Sequence, residues 1–508
     1  MELKAAIFFL FLYYIRPQDW VGGLSGFNIM RPMIALWAWA LFSAHQRSAV
    51  SGLFKTPHDW AMAAYAAWIV WTAPDAQAAL TGFLPLVVFY AFTVHSLVSW
   101  DRLLVYLKAW NYMLLGVALI ALASLMKLDF TGAIDLTAQM EGRLCIGTWM
   151  HNNPNALGHS MAVVMPLSYL LYFWRGNALG RAVIFPLQSG LALWCIYETQ
   201  SKGAFVVSGM LMVLIFVIGR PLLVKVFALM VAITLGVSAL SFLPRMSQVG
   251  SLRAEEGVQG RLMAWELAKT AMEQRPAGWK QFVAYINWRG ETQSKSTHSS
   301  YVQVGADLGI AGMGLYLLAL WTAFRTPLQT HRLSRDDDEK ERVRRALMLL
   351  ILAYAASGWM INREYHTEYF LLIAVAAAMH RLCLAEGEPH DSLGEETGDD
   401  LDKTLPDHSH PVQRAPVWAA GAGRPLATAL AANSWAGAAL LESAPPLPRQ
   451  SAMALEASAT WPMVAAEDEA AEPVTKAFWN RVGMLDVAAA ALLTWAVIYI
   501  WEYILQNL

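Results

Sequence analysis

Apolar runs long enough to cross a lipid bilayer recur along most of this chain, and they restrict its fold more than any other feature. Lipid offers the backbone no hydrogen-bond partners, so each run has to fold as a helix. The composition agrees, with 56% hydrophobic and 15% charged residues and a mean hydropathy of +0.38. A window of roughly 19 residues places about twelve runs near 3–16, 29–45, 59–74, 78–98, 103–126, 155–174, 181–197, 203–219, 221–243, 300–324, 345–361 and 366–384. The sequence therefore predicts an all-α polytopic integral membrane protein.

Composition divides the chain into three parts. Residues 1–384 contain the runs just described and form the predicted membrane domain. Residues 385–482 are first acidic and then rich in alanine and proline, which predicts a disordered cytoplasmic linker. Residues 483–508 contain "MLDVAAAALLTWAVIYIWEYIL", which predicts one further transmembrane helix at the C-terminus.

Lysine and arginine in the short loops predict the orientation of the helices. The segment "FRTPLQTHRLSRDDDEKERVRR" is the most basic loop, so we expect it in the cytoplasm. Alternation from there places the N-terminus in the cytoplasm as well, and places the long loop at 244–299 outside. The segments "YETQSKG" and "INREYHTE" also fall outside, with most of the unusual polar residues. The sequence thus predicts a functional site at the outer surface.

Three polar residues mark the start of the tenth run, in "KSTHSSYVQVGADLGIAG". His298 directly precedes the predicted helix, whose positive dipole end disfavours the charged imidazolium, so a neutral general base is one interpretation. A capping histidine at the headgroup level is the other. Gln303 and Asp307 follow at helical spacing, and an acidic residue inside a span is a functional candidate. Asp307 could instead hold neighbouring helices together beside small residues.

Further candidates lie in the other predicted outer segments. Arg261 falls in the first turn of the amphipathic stretch "RLMAWELAKTAM", where it could bind phosphate bidentately or contact lipid headgroups. Lys202 follows "TQS" at the interface, where snorkelling is the common explanation. Arg143 and Asn155 lie in "GRLCIGTWMHNNPNALGHS", and the asparagine could bind sugar hydroxyls or cap a helix.

Taken together, the segments "HNNPNALGHSMAVVMPL", "TQSKGAF", "GRLMAWELAKTAMEQRPAGWKQF" and "THSSYVQVGADLGIAGMGLYLL" resemble the O-antigen ligase family. The O-antigen polymerases and bacterial O-oligosaccharyltransferases are related to it. The resemblance covers roughly residues 1 to 385 and is strongest between Gly260 and Leu317. It implies a GT-C-like glycosyltransferase of the inner membrane that takes a glycan from undecaprenyl diphosphate at the periplasmic face. In the ligases the acceptor is a hydroxyl of the lipid A core.

The resemblance also implies roles for individual residues. His298 matches the family histidine proposed to activate the acceptor hydroxyl, and Arg261 matches the arginine that would bind the diphosphate. Lys202 stands where many members have an arginine, so it would be a second phosphate ligand. We expect Arg143, Asn155, Gln303 and Asp307 to contact the diphosphate or the glycan.

Several alternatives remain open at the level of sequence. Polymerisation of repeat units and transfer to protein hydroxyls use the same donor chemistry, and a secondary transporter would also have about twelve spans. No cysteine or histidine spacing indicates zinc, so we expect metal independence, although Glu255 and Glu256 leave a metal possible. No basic block with interleaved aromatics indicates nucleic acid as a partner. The expected partners are the lipid-linked donor, the hydroxyl acceptor and membrane lipids.

Overall fold

The computed structural model describes residues 1–24, 26–45, 54–217, 221–227, 230, 231, 234, 256–288, 291–334, 337–387 and 481–508. Most of the predicted linker at 385–482 lies outside these residues, and so do the segment 244–255 of the long loop and much of the run at 221–243. The statements that follow concern the described residues alone.

Helices dominate the described part of the chain. Six of them are long and apolar enough to span a bilayer, namely Ala76–Ser96, Trp100–Leu125, Pro154–Phe173, Ser300–Gln329, Thr367–Glu386 and Met484–Asn507. Other helices, which are shorter or less apolar, occupy other predicted runs or connect them: Glu2–Tyr14, Pro17–Trp20, Met30–His45, Pro57–Thr72, Ala133–Gln139, Phe185–Thr199, Lys202–Val217, Glu256–Gln274, His331–Ser334 and Asp338–Ser357. The prediction of a helical polytopic membrane protein is confirmed at this level.

The connecting segments gather at two ends of the helical bundle. At one end Arg102 pairs with Glu2, Arg175 pairs with Asp338, and Lys340 pairs with Glu386. These are the segments that the charge pattern places together. The opposite end brings other segments together, because Trp149 stacks on His366 with ring centroids 4.9 Å apart and lies 5.4 Å from the Arg16 guanidinium.

The helix Ser300–Gln329, here called the histidine helix, is interrupted at Gly309. Its φ of 71° and ψ of −175° are non-helical, and glycine tolerates a positive φ without a Cβ clash. The interruption leaves nearby carbonyl oxygens without helical donors, which is costly in a bilayer. Backbone amides of Ala277 and Gly278 donate to two of them, at 3.0 and 2.7 Å. Trp68 Nε1 donates to a third, the Leu308 oxygen, at 3.0 Å.

A short antiparallel hairpin joins strand Ala284–Trp288 to strand Glu291–Lys295, with Ala284 opposite Lys295. The prediction of an all-α fold did not include it. Burial alternates along the first strand, since Ala284 and Ile286 are buried and Tyr285 is exposed. The hairpin lies between the helix Glu256–Gln274, here called the arginine helix, and the start of the histidine helix. It therefore carries the chain from Arg261 back to His298.

The terminal helix, Met484–Asn507, packs against the histidine helix. Near its start, Asp486 accepts hydrogen bonds from Trp321 at 3.2 Å and from Arg325. Near its end, Trp501 is fully buried beside Gly305. The two helices therefore run antiparallel. An ion pair of 2.8 Å between Lys269 and Glu502 also ties the terminal helix to the arginine helix.

Candidate active site

The segment preceding the histidine helix, here called the histidine loop (residues 296–299), holds His298 in an unusual backbone conformation. Ser299 caps the helix by accepting a hydrogen bond from the Val302 amide. His298 has a φ of 49°, in the left-handed region that non-glycine residues seldom adopt. Its amide donates to Ser296 Oγ at 3.3 Å. Such a conformation persists only where the surroundings enforce it, and it is frequent at functional sites.

The surroundings that enforce it come from the loop at 358–366. The Ser300 amide donates to the Gly358 oxygen at 2.7 Å, and Ser299 Oγ donates to the same oxygen at 3.2 Å. Thr297 Oγ1 also lies 3.1 Å from Asn362 Oδ1. These contacts hold residues on both sides of His298, so its neighbours constrain the backbone at this position.

The arginine helix brings Arg261 close to this histidine. Trp265 Nε1 donates to the Thr297 oxygen at 2.6 Å, and Arg261 lies one turn earlier on the same face of the helix. Burial, with the positive charges of Arg261 and Lys295, lowers the pKa of His298 to about 4. The imidazole is therefore neutral at pH 7, as the sequence suggested. Desolvation and the two cations act in the same direction that the sequence expected of the helix dipole.

Lys202 and His159 extend this group. Lys202 begins the helix Lys202–Val217, and the next residue, Gly203, packs so tightly that an added Cβ would lie 2.9 Å from His159 Nε2. His159 Nδ1 is 2.9 Å from Ser357 Oγ, whereas its buried Nε2 has no hydrogen-bond partner among the described residues. The charge of Arg261 acts on His159 as well as on His298. Lys202, His159 and Arg261 therefore lie around one region of the molecule, which also includes His298.

Arg143 and Asn155 lie next to this region and contact each other. Arg143 Nη2 donates to Asn155 Oδ1 at 2.8 Å, and its Nε donates to the Thr199 oxygen at 3.2 Å. Thr199 is three residues before Lys202, so this pair joins the lysine side of the site. The cap of the helix Pro154–Ser168 is Asn153, which leaves Asn155 with a different role from capping.

Gln303 and Asp307 form a network of hydrogen bonds next to the histidine loop. Gln303 Oε1 accepts from Thr297 Oγ1 at 3.0 Å, and its Nε2 donates to Asp307 Oδ2 at 3.2 Å. Asp307 also accepts from the Phe282 amide at 2.8 Å and from Tyr365 OH at 3.0 Å. Both carboxylate oxygens thus have protein donors, and the geometry favours a positioning role for Asp307.

Some residues of this region have no signal of their own in the sequence. Trp265, Asn362 and His159 contribute by contact, and only the segments around His159 and Asn362 stood out as polar. In the part of the chain that the structure describes, no group of three or more His, Cys, Asp or Glu side chains is arranged to hold a metal ion. Glu255, which left a metal possible, is outside that part.

The fold and the site together define a class: a polytopic helical membrane protein that collects cationic side chains around a neutral histidine at one end. A comparison with protein families makes this more specific, since residues 188–317 match a family model described as O-antigen ligase. Over this segment the chain is similar to the O-antigen ligase family, so the resemblance seen in the sequence is confirmed for residues 188–317. The segment contains Lys202, Arg261 and His298 but not Arg143 or Asn155. No curated protein matches the chain.

The match supports an activity of the ligase or polymerase type, in which a lipid-linked glycan is the donor. It does so at the level of the family. The acceptor and the reacting face depend on arguments from the site itself.

Proposed function

We propose that this protein transfers a glycan from undecaprenyl diphosphate to a hydroxyl of the lipid A core, with inversion at the anomeric carbon. The observation that carries the proposal is the enforced left-handed conformation of His298 beside Arg261, both inside the family segment. A neutral base next to fixed positive charge suits a reaction in which a hydroxyl attacks and an anion leaves.

The donor side of the reaction falls to Arg261 and Lys202. A diphosphate leaving group gains negative charge as the glycosidic bond breaks, and nearby cations stabilise that charge more than they stabilise the ground state. Arg261 offers the planar fork that binds phosphate oxygens in pairs. The unpartnered Nε2 of His159 supports a neutral hydrogen-bond donor in the same place.

The acceptor side falls to His298. Its imidazole takes the proton from the acceptor hydroxyl, the hydroxyl oxygen bonds to the anomeric carbon, and the bond from that carbon to the diphosphate oxygen breaks. This direct displacement forms no covalent enzyme intermediate and needs no metal ion. Desolvation keeps the imidazole neutral and ready to accept the proton.

We further propose that the histidine end faces the periplasm and that the N-terminus lies in the cytoplasm of a bacterial inner membrane. The basic loop with Arg342, Arg344 and Arg345 lies at the end opposite the histidine loop, as the preference of basic loops for the cytoplasm requires. A GT-C-like helix arrangement is part of the same proposal.

The experiment that tests the function is deletion of the gene, followed by analysis of three glycan pools. We expect long glycans to accumulate on the lipid carrier while lipid A loses them, and wild-type protein, but not His298→Ala, to restore the normal pattern. Single repeat units on lipid A would instead indicate a polymerase, and loss from glycoproteins alone a protein-directed transferase. Unchanged pools would overturn the enzyme proposal and favour transport.

A further inference from the structure

A cleft lies beside the histidine loop, and Arg261 is not among the residues that line it. It is bounded by the hairpin, the start of the histidine helix and the loop at 358–366, and contains about 720 Å³ of space open to solvent. The residues that the argument uses are Lys280, Phe282, Ser296, Asp307, Glu364 and Tyr365, all of which line it.

Glu364 is the feature of this cleft that points to a ligand. Its side chain is almost completely buried, with 6% of its surface exposed, yet Oε2 has no hydrogen-bond partner in the described part of the chain. Burial and the charge of Asp307 raise the pKa of Glu364 to about 8. A buried carboxyl oxygen without a partner is costly, and a bound hydrogen-bond donor relieves that cost.

The rest of the cleft is fully organised before any ligand arrives. Asp307 already accepts hydrogen bonds from Phe282, Gln303 and Tyr365. The backbone at Glu364 is held by its neighbour, since the Arg363 amide donates to Ser300 Oγ at 2.9 Å. Glu364 is therefore presented on a rigid frame, and a ligand can bind it without paying to order the loop.

The lining chemistry identifies the class of ligand. Carboxyl oxygens accept hydrogen bonds from hydroxyls, while the rings of Phe282 and Tyr365 offer apolar surface to the C–H faces of a sugar. Lys280 lies over the Trp279 ring at 4.7 Å and near the Tyr365 ring at 5.9 Å, so part of its charge faces aromatic surface. Lys280 and Lys295 line the cleft together with Asp307 and Glu364, so its charges largely offset one another, which suits an uncharged ligand better than a diphosphate.

We propose that this cleft binds an uncharged sugar ring of the acceptor, with a ring hydroxyl donating to Glu364 so that a neighbouring hydroxyl reaches His298. The proposal rests on the proposed function and makes it more specific. It separates the two substrates: the donor diphosphate binds on the Arg261 side and the acceptor sugar on the Glu364 side. His298 stands between them, which is where the proton leaves the acceptor oxygen as it bonds to the anomeric carbon.

The test is binding by the full-length protein in lipid nanodiscs, with two probes measured separately. One probe is core oligosaccharide freed of lipid A acyl chains, and the other is undecaprenyl diphosphate without sugar. We expect Glu364→Ala to weaken oligosaccharide binding about tenfold or more and to leave the diphosphate affinity unchanged. Arg261→Ala should show the reverse pattern. Glu364→Gln, which keeps the shape of the side chain, serves if the alanine variant does not fold.

Glu291→Gln is the matched control, because Glu291 is an exposed acidic residue on the same hairpin but outside the cleft. Its affinity for both probes should equal that of the wild type. A loss of diphosphate binding in Glu364→Ala, or no binding of oligosaccharide to wild-type protein, would overturn the assignment of the cleft.

Transfer kinetics distinguish a wrong assignment of the cleft from a wrong proposed function. If wild-type protein transfers glycan to lipid A core and the Glu364 variants keep its acceptor KM, the function stands and the cleft assignment is wrong. If oligosaccharide binds through Glu364 and no transfer to lipid A core occurs with any donor glycan, the cleft stands and the function is wrong.

Discussion

The two ends of the helical bundle use charge in opposite ways. At the basic end, Glu341 accepts from Arg344 and Arg345, each at 2.6 Å, so opposite charges neutralise each other in contact. At the histidine end, Arg261 and Lys295 act on His298 with the same sign. Opposite charges in contact neutralise each other, whereas like charges gathered in one place create a positive potential that favours an anion. The basic end therefore neutralises its charges internally, whereas the histidine end keeps a positive potential that suits the proposed donor diphosphate.

The largest effect is expected where the histidine end loses its base. His298→Ala should lower the transfer rate by about 10² to 10⁴-fold while donor binding stays intact, because no other neutral base occupies its place between the two substrates. The measurement is turnover of lipid-linked glycan in nanodiscs, beside donor affinity. His331→Ala, an exposed histidine of the basic end, is the control and should keep wild-type turnover. Normal transfer by His298→Ala would remove His298 from the base role.

The next effect belongs to the basic end and concerns stability. Glu341→Ala leaves the buried guanidinium of Arg344 without its partner, which should cost about 3–5 kcal/mol in the free energy of unfolding. Denaturant or thermal unfolding of the purified protein measures it, with the exposed Glu339→Ala of the same helix as control. Turnover per folded molecule should not change. A fall in turnover at full folding would show that the two ends are not separate in function.

A smaller effect is expected from a substitution that keeps the positive charge at position 261 but removes the planar guanidinium group. Arg261→Lys loses the planar fork, so donor KM should rise and turnover should fall by about tenfold. Arg275→Lys, just beyond the end of the same helix and exposed, should behave as wild type. Wild-type kinetics in Arg261→Lys would favour contact with lipid headgroups over contact with diphosphate.

The smallest effect is a shift of the pH profile. Because His298 works in its neutral form and its pKa is about 4, wild-type turnover should fall only as the pH approaches that value. Lys295→Met removes one of the cations that lower this pKa, so the pKa rises and the fall begins at higher pH, by about half a unit. Turnover is measured against pH at saturating substrates. Lys340→Met at the basic end should leave the profile in place, and a shift there would contradict the local cause.

Much of the fold could be predicted because an apolar run inside lipid satisfies its backbone hydrogen bonds by folding as a helix. The interruption at Gly309 could not be predicted, because the sequence around a glycine in an apolar helix is the same whether the helix is interrupted there or continuous. Its conformation depends on Ala277, Gly278 and Trp68, which donate to the freed carbonyls from elsewhere in the chain. The hairpin at 284–295 was missed for a related reason, because two strands of five residues carry little periodicity.

Part of the candidate site could likewise be predicted from the sequence, and part could not. His298 stands out in sequence because it directly precedes a predicted helix, and Arg261 because we expect it in the first turn of one; the family segment contains both. The structure corrects the second expectation, because the arginine helix already includes Glu256 and Arg261 lies beyond its first turn. The sequence left Asp307 open between a ligand-binding and a structural role. Its three protein donors favour the structural one. Glu364, by contrast, reads as an ordinary loop glutamate, and only its burial and unpartnered oxygen distinguish it.

By itself the sequence determined the helical membrane class, and it indicated the resemblance to a family and the candidates His298 and Arg261, because these follow from hydropathy and from motifs that are local in the chain. The tertiary structure alone decided that His298 adopts a left-handed conformation, that desolvation and two cations keep it neutral, and that a carboxyl cleft adjoins it. These properties arise from contacts between residues far apart in the chain. Burial and electric field depend on such neighbours, and no single segment encodes them.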